Sequence, residues 1–467
     1  MTENAPQLKR QIGFFSATIL VIANMVGSGI FTTSGFVMSE LNTAEQLLAA
    51  WLIGGLFALI GAFCYAELGA MFPEAGGEYI YLKSAYGDLP AFLSGWISLI
   101  VGFSAPIAAA AIAFATYFFG GTSLSEPGLS LLENDWIQLS PVTLLAVAAV
   151  VVFSLLHLHS VHIGKGIQNL LTLYKVGFIV LFIILGFTLG DGDFEHFRPS
   201  RSVSAEFDFS SFAVALIFIS FAYSGWNAAA YLGSEIHRPE KNLPWALIAG
   251  TLFVLVLYLL LNLLYLYALP PQQMAGQLDI GQTAATALFD SKIAFWFSAA
   301  IAFGLLSVMS AMIMAGPRVY FAMAQDGLFP DHFGRIHPTR HTPAAAILLQ
   351  AAIAIVMIIL SAYDTLLIYI GFTLSLSAII TVAGLMVLRR NRPDLKRPYR
   401  TPGYPWIPLT FIGGNFWILG YTLYSRPEVA FYGFLTLLIG LLPYGFFKRK
   451  QRRTNRNPIA CTLDLKK

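Results

Sequence analysis

IGFFSATILVIANMVGSGIFTTSGFVM, residues 12–38, is long and apolar enough to cross a bilayer, yet Gly27, Ser28 and Gly29 interrupt it near its middle. A hydrocarbon core needs about 20 apolar residues per helix. A helix that opens inside it leaves backbone groups that must find partners. Runs that meet the same length follow at residues 47–72, 90–119, 139–157, 167–189, 209–233, 244–269, 293–324, 343–362, 365–388, 404–424 and 429–447. Any one of these runs reads equally well as a buried helix of a large soluble core. Twelve in succession do not, so the reading is an all-α integral membrane protein of twelve transmembrane helices. A transmembrane β-barrel needs short alternating strands, and these runs are unbroken. The polar start MTENAPQLKR and the length of the first run do not suit a secretion signal.

Composition agrees. Of 467 residues, 57% are hydrophobic and 11% charged, with a mean hydropathy of +0.69. Soluble domains carry about 25% charged residues. A disordered chain, a coiled coil, a nucleic-acid binder and an ordinary cytosolic enzyme are excluded. The two cysteines, Cys64 in an apolar run and Cys461 in the polar tail, make no disulfide framework.

Lysine and arginine set the orientation. With the N-terminus in the cytoplasm, 23 of the 28 basic residues fall on the inner side, six of them between Arg389 and Arg400 and eight from Lys448 onward. Four fall outside: Arg198, Arg201, Lys292 and Arg426. Both termini are therefore expected inside a cell membrane, with an even number of spans. The basic runs RRNRPDLKRPYR and KRKQRR read as topology anchors.

A second interruption, Ser224-Gly225 within FAYSGWN, lies in the sixth run, five spans after the first. A lone Gly-Ser-Gly reads as close helix packing. Interrupted spans at matching positions of two halves instead point to a transporter's substrate site. The N–H groups of Ser28 and Gly29 would open the outer half of span one and suit a carboxylate. The carbonyls that end the inner half of span one and the first half of span six would suit an ammonium. An α-amino acid carries both groups on one carbon. Spans one, three, six, seven, eight and ten contain no Asp or Glu, so neutral side chains are expected in the pocket.

Lys175 lies deep inside a span that holds no other charged residue. It lies about eight residues from one end of span five and about fourteen from the other, roughly 12 and 21 Å, too deep for snorkelling. A charged lysine there costs roughly 2.5–3.5 kcal/mol and by default marks a functional site. It could exchange a proton, or stand where a sodium ion sits in other transporters. His157, His159 and His162 form one cluster without an acidic ligand, and no metal or cofactor is expected. The phosphate-cradling GxxxxGK[ST] pattern is missing, which argues against ATP-driven pumping.

YAELGAMFPEAGGEYIYLKSAYG (65–87), VGSGIF (26–31), FAYSGWN (221–227) and AGPRVYFAMAQDGLFP (315–330) together resemble the motifs of the amino acid–polyamine–organocation (APC) superfamily, and FAYSGWN is most similar to its L-type amino-acid transporter branch. The resemblance implies two inverted five-helix repeats plus two further helices. The divisions are a tail at 1–11, repeats at 12–189 and 209–388, an added pair at 404–447 and a basic tail at 448–467. It implies that Ser28 and Gly29 bind the substrate carboxylate, that the carbonyls of Met25, Phe221 and Ser224 receive the ammonium, and that Phe221 gates the ligand. Trp226 and Asn227 stand beside the broken helix, with Asn227 among the substrate-binding residues. Lys175 is implied to link span one to span eight near Ser307 and Ser310. Ser224 departs from the family's usual smaller residue, which would narrow the pocket or favour small polar substrates. Eukaryotic members join a heavy chain through a cysteine between helices three and four; the loop 120–138 has none, so no such partner is expected.

The expectation is sodium-independent secondary transport of neutral L-amino acids by alternating access, as an exchanger or a proton symporter. A polyamine or cationic amino-acid antiporter and an amino-acid-binding membrane sensor remain the alternatives.

Overall fold

The computed structural model describes residues 8–119, 140–198, 207–277, 279–289, 291–360, 363–425 and 427–456. The loop 120–138 and the end of the basic tail lie outside them. The described chain is helical, with two isolated β-bridges, Ile12–Ile236 and Ala75–Leu232.

The first run divides into α1 (Phe14–Met25) and α2 (Gly29–Glu40), bent by 42° at the break. Next come α3 (Ala44–Met71), the short α4 (Glu78–Tyr86), and α5 (Asp88–Ile97), which a π-helical turn at Ser98–Ser104 joins to α6 (Ala105–Phe118). Then follow α7 (Pro141–His159), α8 (Val161–Leu189) and α9 (Phe209–Ala222). Polar side chains start these helices where the runs begin. Thr43 accepts from the Gln46 N–H, Ser140 from that of Thr143, Ser160 from that of His162, and Asp208 from those of Ser210 and Ser211.

The sixth run does not continue as a helix past its break. Two short 3-10 turns, Ala228–Tyr231 and Gly233–Glu235, carry it to α10 (Pro239–Ala268), where Pro239 opens the helix. The short α11 (Pro271–Met274) and α12 (Ile280–Leu288) lead to α13 (Ser291–Ala315) and α14 (Pro317–Gln325). The chain closes with α15 (Ala344–Leu360), α16 (Tyr363–Asn391), α17 (Trp406–Ser425) and α18 (Pro427–Arg456).

Among the described residues, seven spans, counting α5–α6 and α13–α14 as one each, are long and apolar enough to cross a membrane, and the bent α1–α2 pair makes an eighth. Large apolar side chains such as Leu170, Leu189, Trp296 and Leu442 lie on the outer surface, which lipid tolerates and water does not. In the interior α1 packs on α10 and α8, α3 on α10, and α2 on α9.

The two breaks meet. A Cβ placed on Gly29 would come within 2.8 Å of the Ala222 Cα, and one on Gly225 within 2.8 Å of Asn24 Nδ2. Glycine at both positions lets the interrupted segments touch backbone to backbone. Gly225 also has φ +92°, which a side chain would strain. At the other end of α1, Glu235 and Arg318 form a buried bidentate pair at 2.8 and 3.1 Å. The Glu235 carbonyl also accepts from Gln11 and Ile12. The start of α1, the end of the sixth run and the start of α14 are thus gathered at one point.

Candidate functional site

α1 ends because Val26 leaves the helical region, and its last carbonyls lose their intrahelical donors. Lys175 supplies replacements. Its ammonium, on a side chain 3% exposed, donates to the Ala23 carbonyl at 3.0 Å and to that of Val26. Tyr258 of α10 supplies another: its hydroxyl lies 2.7 Å from the Met25 carbonyl and 3.1 Å from that of Ala222, tying the end of α1 to the end of α9. Beyond the break, Ser28 and Gly29 open α2, where a helix leaves N–H groups without an intrahelical acceptor. The break therefore offers donors on one side and braced carbonyls on the other.

The structure brings some of the expected site residues together and separates others. Lys175 does reach the first break, but Ser307 and Ser310 are not its hydrogen-bond partners. Ser307 pairs with Thr172 at 3.2 Å, and Ser310 with the buried His157 at 2.8 Å. The aliphatic stem of Lys175 lies against Gly304, one turn before Ser307, so it still packs on α13. The Met25 carbonyl is occupied by Tyr258, and the Phe221 carbonyl accepts the Ser224 N–H at 3.0 Å. Phe221 packs against the apolar cluster of Ile97, Val101, Ala105 and Ile370. Trp226 packs edge-on to Tyr65, with ring centroids 4.6 Å apart.

A cavity of about 100 Å³ opens beside the second break. Ser224 and Asn227 line it, together with Asn24, Tyr223, Tyr231 and residues of α3, α6, α16 and α17; Met25, Ser28, Gly29 and Phe221 do not. Glu78 also lines it, which corrects the expectation that no carboxylate reaches the pocket. Gly76 and Gly77, at φ +119° and +52°, turn the chain back so that the first residue of α4 points into the bundle. There Glu78 accepts from Tyr65 at 2.6 Å, Asn227 at 2.8 Å and Ser377 at 2.8 Å. Burial pushes its carboxyl up, and the hydrogen bonds from Tyr65, Ser377, Asn227 and Ser94 pull the other way. These donors engage most of its lone pairs and disperse its charge without an ion pair among the described residues. Glu78, Tyr258 and Asn24 were missed by sequence reasoning. The Gly76-Gly77 pair was the available signal for Glu78.

Two interrupted segments in contact, a buried lysine on one break and a polar cavity beside the other, within a bundle coated in apolar side chains, define a membrane transporter. The family model described as amino acid permease matches residues 12–461, and the chain belongs to that family. It is a transporter rather than an enzyme. The chain is 32% identical over 455 residues to the serine/threonine exchanger SteT of Bacillus subtilis (strain 168), covering 95% of this chain and 98% of that protein. It is 30% identical over 441 residues to the large neutral amino acids transporter small subunit 2 of Homo sapiens, covering 94% and 80%. It is 29% identical over 455 residues to the b(0,+)-type amino acid transporter 1 of Mus musculus, covering 94% and 88%.

Proposed function

We propose that the protein exchanges neutral L-amino acids across a plasma membrane by alternating access and without sodium. In this reading twelve spans form two inverted five-helix repeats plus two further helices, with both termini cytoplasmic. Ser28 and Gly29 hold the substrate carboxylate, carbonyls of Met25, Phe221 and Ser224 receive the ammonium, and Asn227 borders the side chain. Phe221 closes over the ligand. The observation that carries the reading is the Lys175 ammonium on the Ala23 and Val26 carbonyls. A fixed cation there does the work of a sodium ion in bracing the freed carbonyls. The names of the relatives, an exchanger and a neutral amino-acid transporter among them, agree.

The test is uptake of labelled amino acid into liposomes containing the purified protein. Exchange requires amino acid preloaded inside and ignores sodium and proton gradients. Accumulation driven by an inward proton gradient would make the protein a symporter instead.

One observation favours a cationic substrate: the Glu78 carboxylate on the cavity wall. The hydrogen bonds it already accepts leave little of it for a ligand, so the neutral reading stands first. Putrescine, arginine and lysine should compete poorly, and strong competition by any of them would reverse that order.

A further inference from the structure

Three carboxamides line the cavity beside the second break, Asn24, Asn227 and Asn415, and their hydrogen bonding differs. Asn415, on α17, donates to the Phe411 carbonyl of the same helix at 2.9 Å. Asn227 has both amide hydrogens engaged, one on Glu78 Oε1 at 2.8 Å and one on the Tyr231 hydroxyl at 3.2 Å. A carboxylate only accepts, so the network fixes the amide with its nitrogen toward Glu78. Oδ1 is left as the group Asn227 can offer a ligand. Asn24 is 7% exposed, lines the same cavity, and its Oδ1 is buried with no hydrogen-bond partner among the described residues. It comes from the last turn of α1, and its amide lies against Gly225, two residues from Asn227. A polar atom left unpaired in an apolar membrane interior is costly. A ligand hydroxyl that reached it would complete it.

We propose that Asn24 Oδ1 and Asn227 Oδ1 form a side-chain subsite that accepts a hydrogen bond from a substrate hydroxyl. The proposal rests on the amino-acid transport reading and adds a preference to it. Glu78 is a positioning residue, because it holds Asn227 in the orientation that presents oxygen to the cavity. A hydroxyl fits better than an ammonium: both acceptors are neutral amide oxygens, and the nearby carboxylate is already taken up by Tyr65, Ser377 and Asn227.

The test uses liposomes containing the full chain and labelled valine, with unlabelled competitors. Threonine and valine have nearly the same shape and differ in one hydroxyl. Leaving a buried acceptor unpaired is costly enough that threonine should inhibit at about tenfold lower concentration than valine. O-methylserine, which keeps the oxygen but loses the donor, should inhibit no better than alanine. In Asn24→Ala the threonine-to-valine ratio should fall toward one, whatever rate remains. Glu78→Gln frees the Asn227 amide to turn, and should lower the same ratio. Equal inhibition by threonine and valine in the unmodified protein overturns the subsite while leaving amino-acid transport standing. If ornithine outcompetes threonine, the cavity is a counter-ion site at Glu78 and the hydroxyl assignment falls. If no amino acid is taken up at all, the transport reading fails and the subsite with it.

Discussion

Lys175→Met removes the ammonium but keeps a flexible chain of similar length, and its consequence for stability can be worked from the structure. The lysine donates two charge-assisted hydrogen bonds, to the Ala23 and Val26 carbonyls. Bonds of this kind contribute about 1.5–3 kcal/mol each, roughly 3–6 kcal/mol together. Against that stands the cost of placing a charged lysine within a membrane span, about 2.5–3.5 kcal/mol. The terms offset in part, leaving a net contribution between about −0.5 and 3.5 kcal/mol. The methionine variant should therefore still insert and remain monodisperse in detergent, with a modest fall in its thermal midpoint. Transport behaves differently, because it depends on what the freed carbonyls do in each state of the cycle. With two carbonyls of the first break unbraced, the geometry that presents Ser28 and Gly29 is lost, and exchange in liposomes should fall at least tenfold, the effect of about 1.4 kcal/mol. A folded Lys175→Met protein that exchanges amino acids at the original rate would refute this role for the lysine. Sodium-dependent uptake by the unmodified protein would refute it too, since the ammonium and a sodium ion cannot both occupy those carbonyls.

Four further outcomes can be checked on the same preparation. Gly29→Val should abolish substrate binding, measured by ligand-induced thermal stabilisation, because its added atoms collide with the Ala222 backbone and part α2 from α9; amino-acid esters should likewise fail to compete. Phe221→Ala should slow exchange if its ring closes over the ligand as proposed, and an unchanged rate would take Phe221 out of that role. Gly225→Ala should reduce both stability and transport, because φ is +92° and Asn24 stands 2.8 Å from the new Cβ. Arg318→Met leaves the Glu235 carboxylate buried and unpaired, a loss of about 3–5 kcal/mol, whereas Arg318→Met with Glu235→Leu should recover most of the thermal midpoint.

Both breaks were legible because a break is a property of one segment. Gly27-Ser28-Gly29 and Ser224-Gly225 stand out against apolar neighbours, and glycine in a run that must satisfy its backbone internally has few explanations. The chain just past the second break was not legible. Residues 228–233 are as apolar as a spanning helix, yet they form 3-10 turns. Ala228, Ala229 and Ala230 are buried against other elements, and the Gly76 N–H bonds the Tyr231 carbonyl from outside the segment. Tertiary partners chose the conformation there, and hydropathy has no access to them.

The same division runs through the site. Lys175 was readable because a single charge in an apolar span needs no partner to be conspicuous, and the structure places its ammonium on the Ala23 and Val26 carbonyls. Its assignment to Ser307 and Ser310 did not follow, because serines one turn apart on α13 can serve any neighbour. Thr172, one turn before Lys175 on α8, reaches Ser307, and His157 on α7 reaches Ser310. Glu78 shows the converse. In the sequence it stands in a polar stretch between two spans, where a carboxylate is unremarkable. Only the positive-φ turn at Gly76 and Gly77 carries it inward, to meet donors from α3, α16 and the second break. A buried group assembled from three separate elements has no local signature. The acids within the spans are therefore the wrong set of residues from which to read a neutral substrate. In the reading proposed above, the pocket's preference turns on how fully Glu78 is satisfied where it stands by its hydrogen bonds to Tyr65, Asn227 and Ser377.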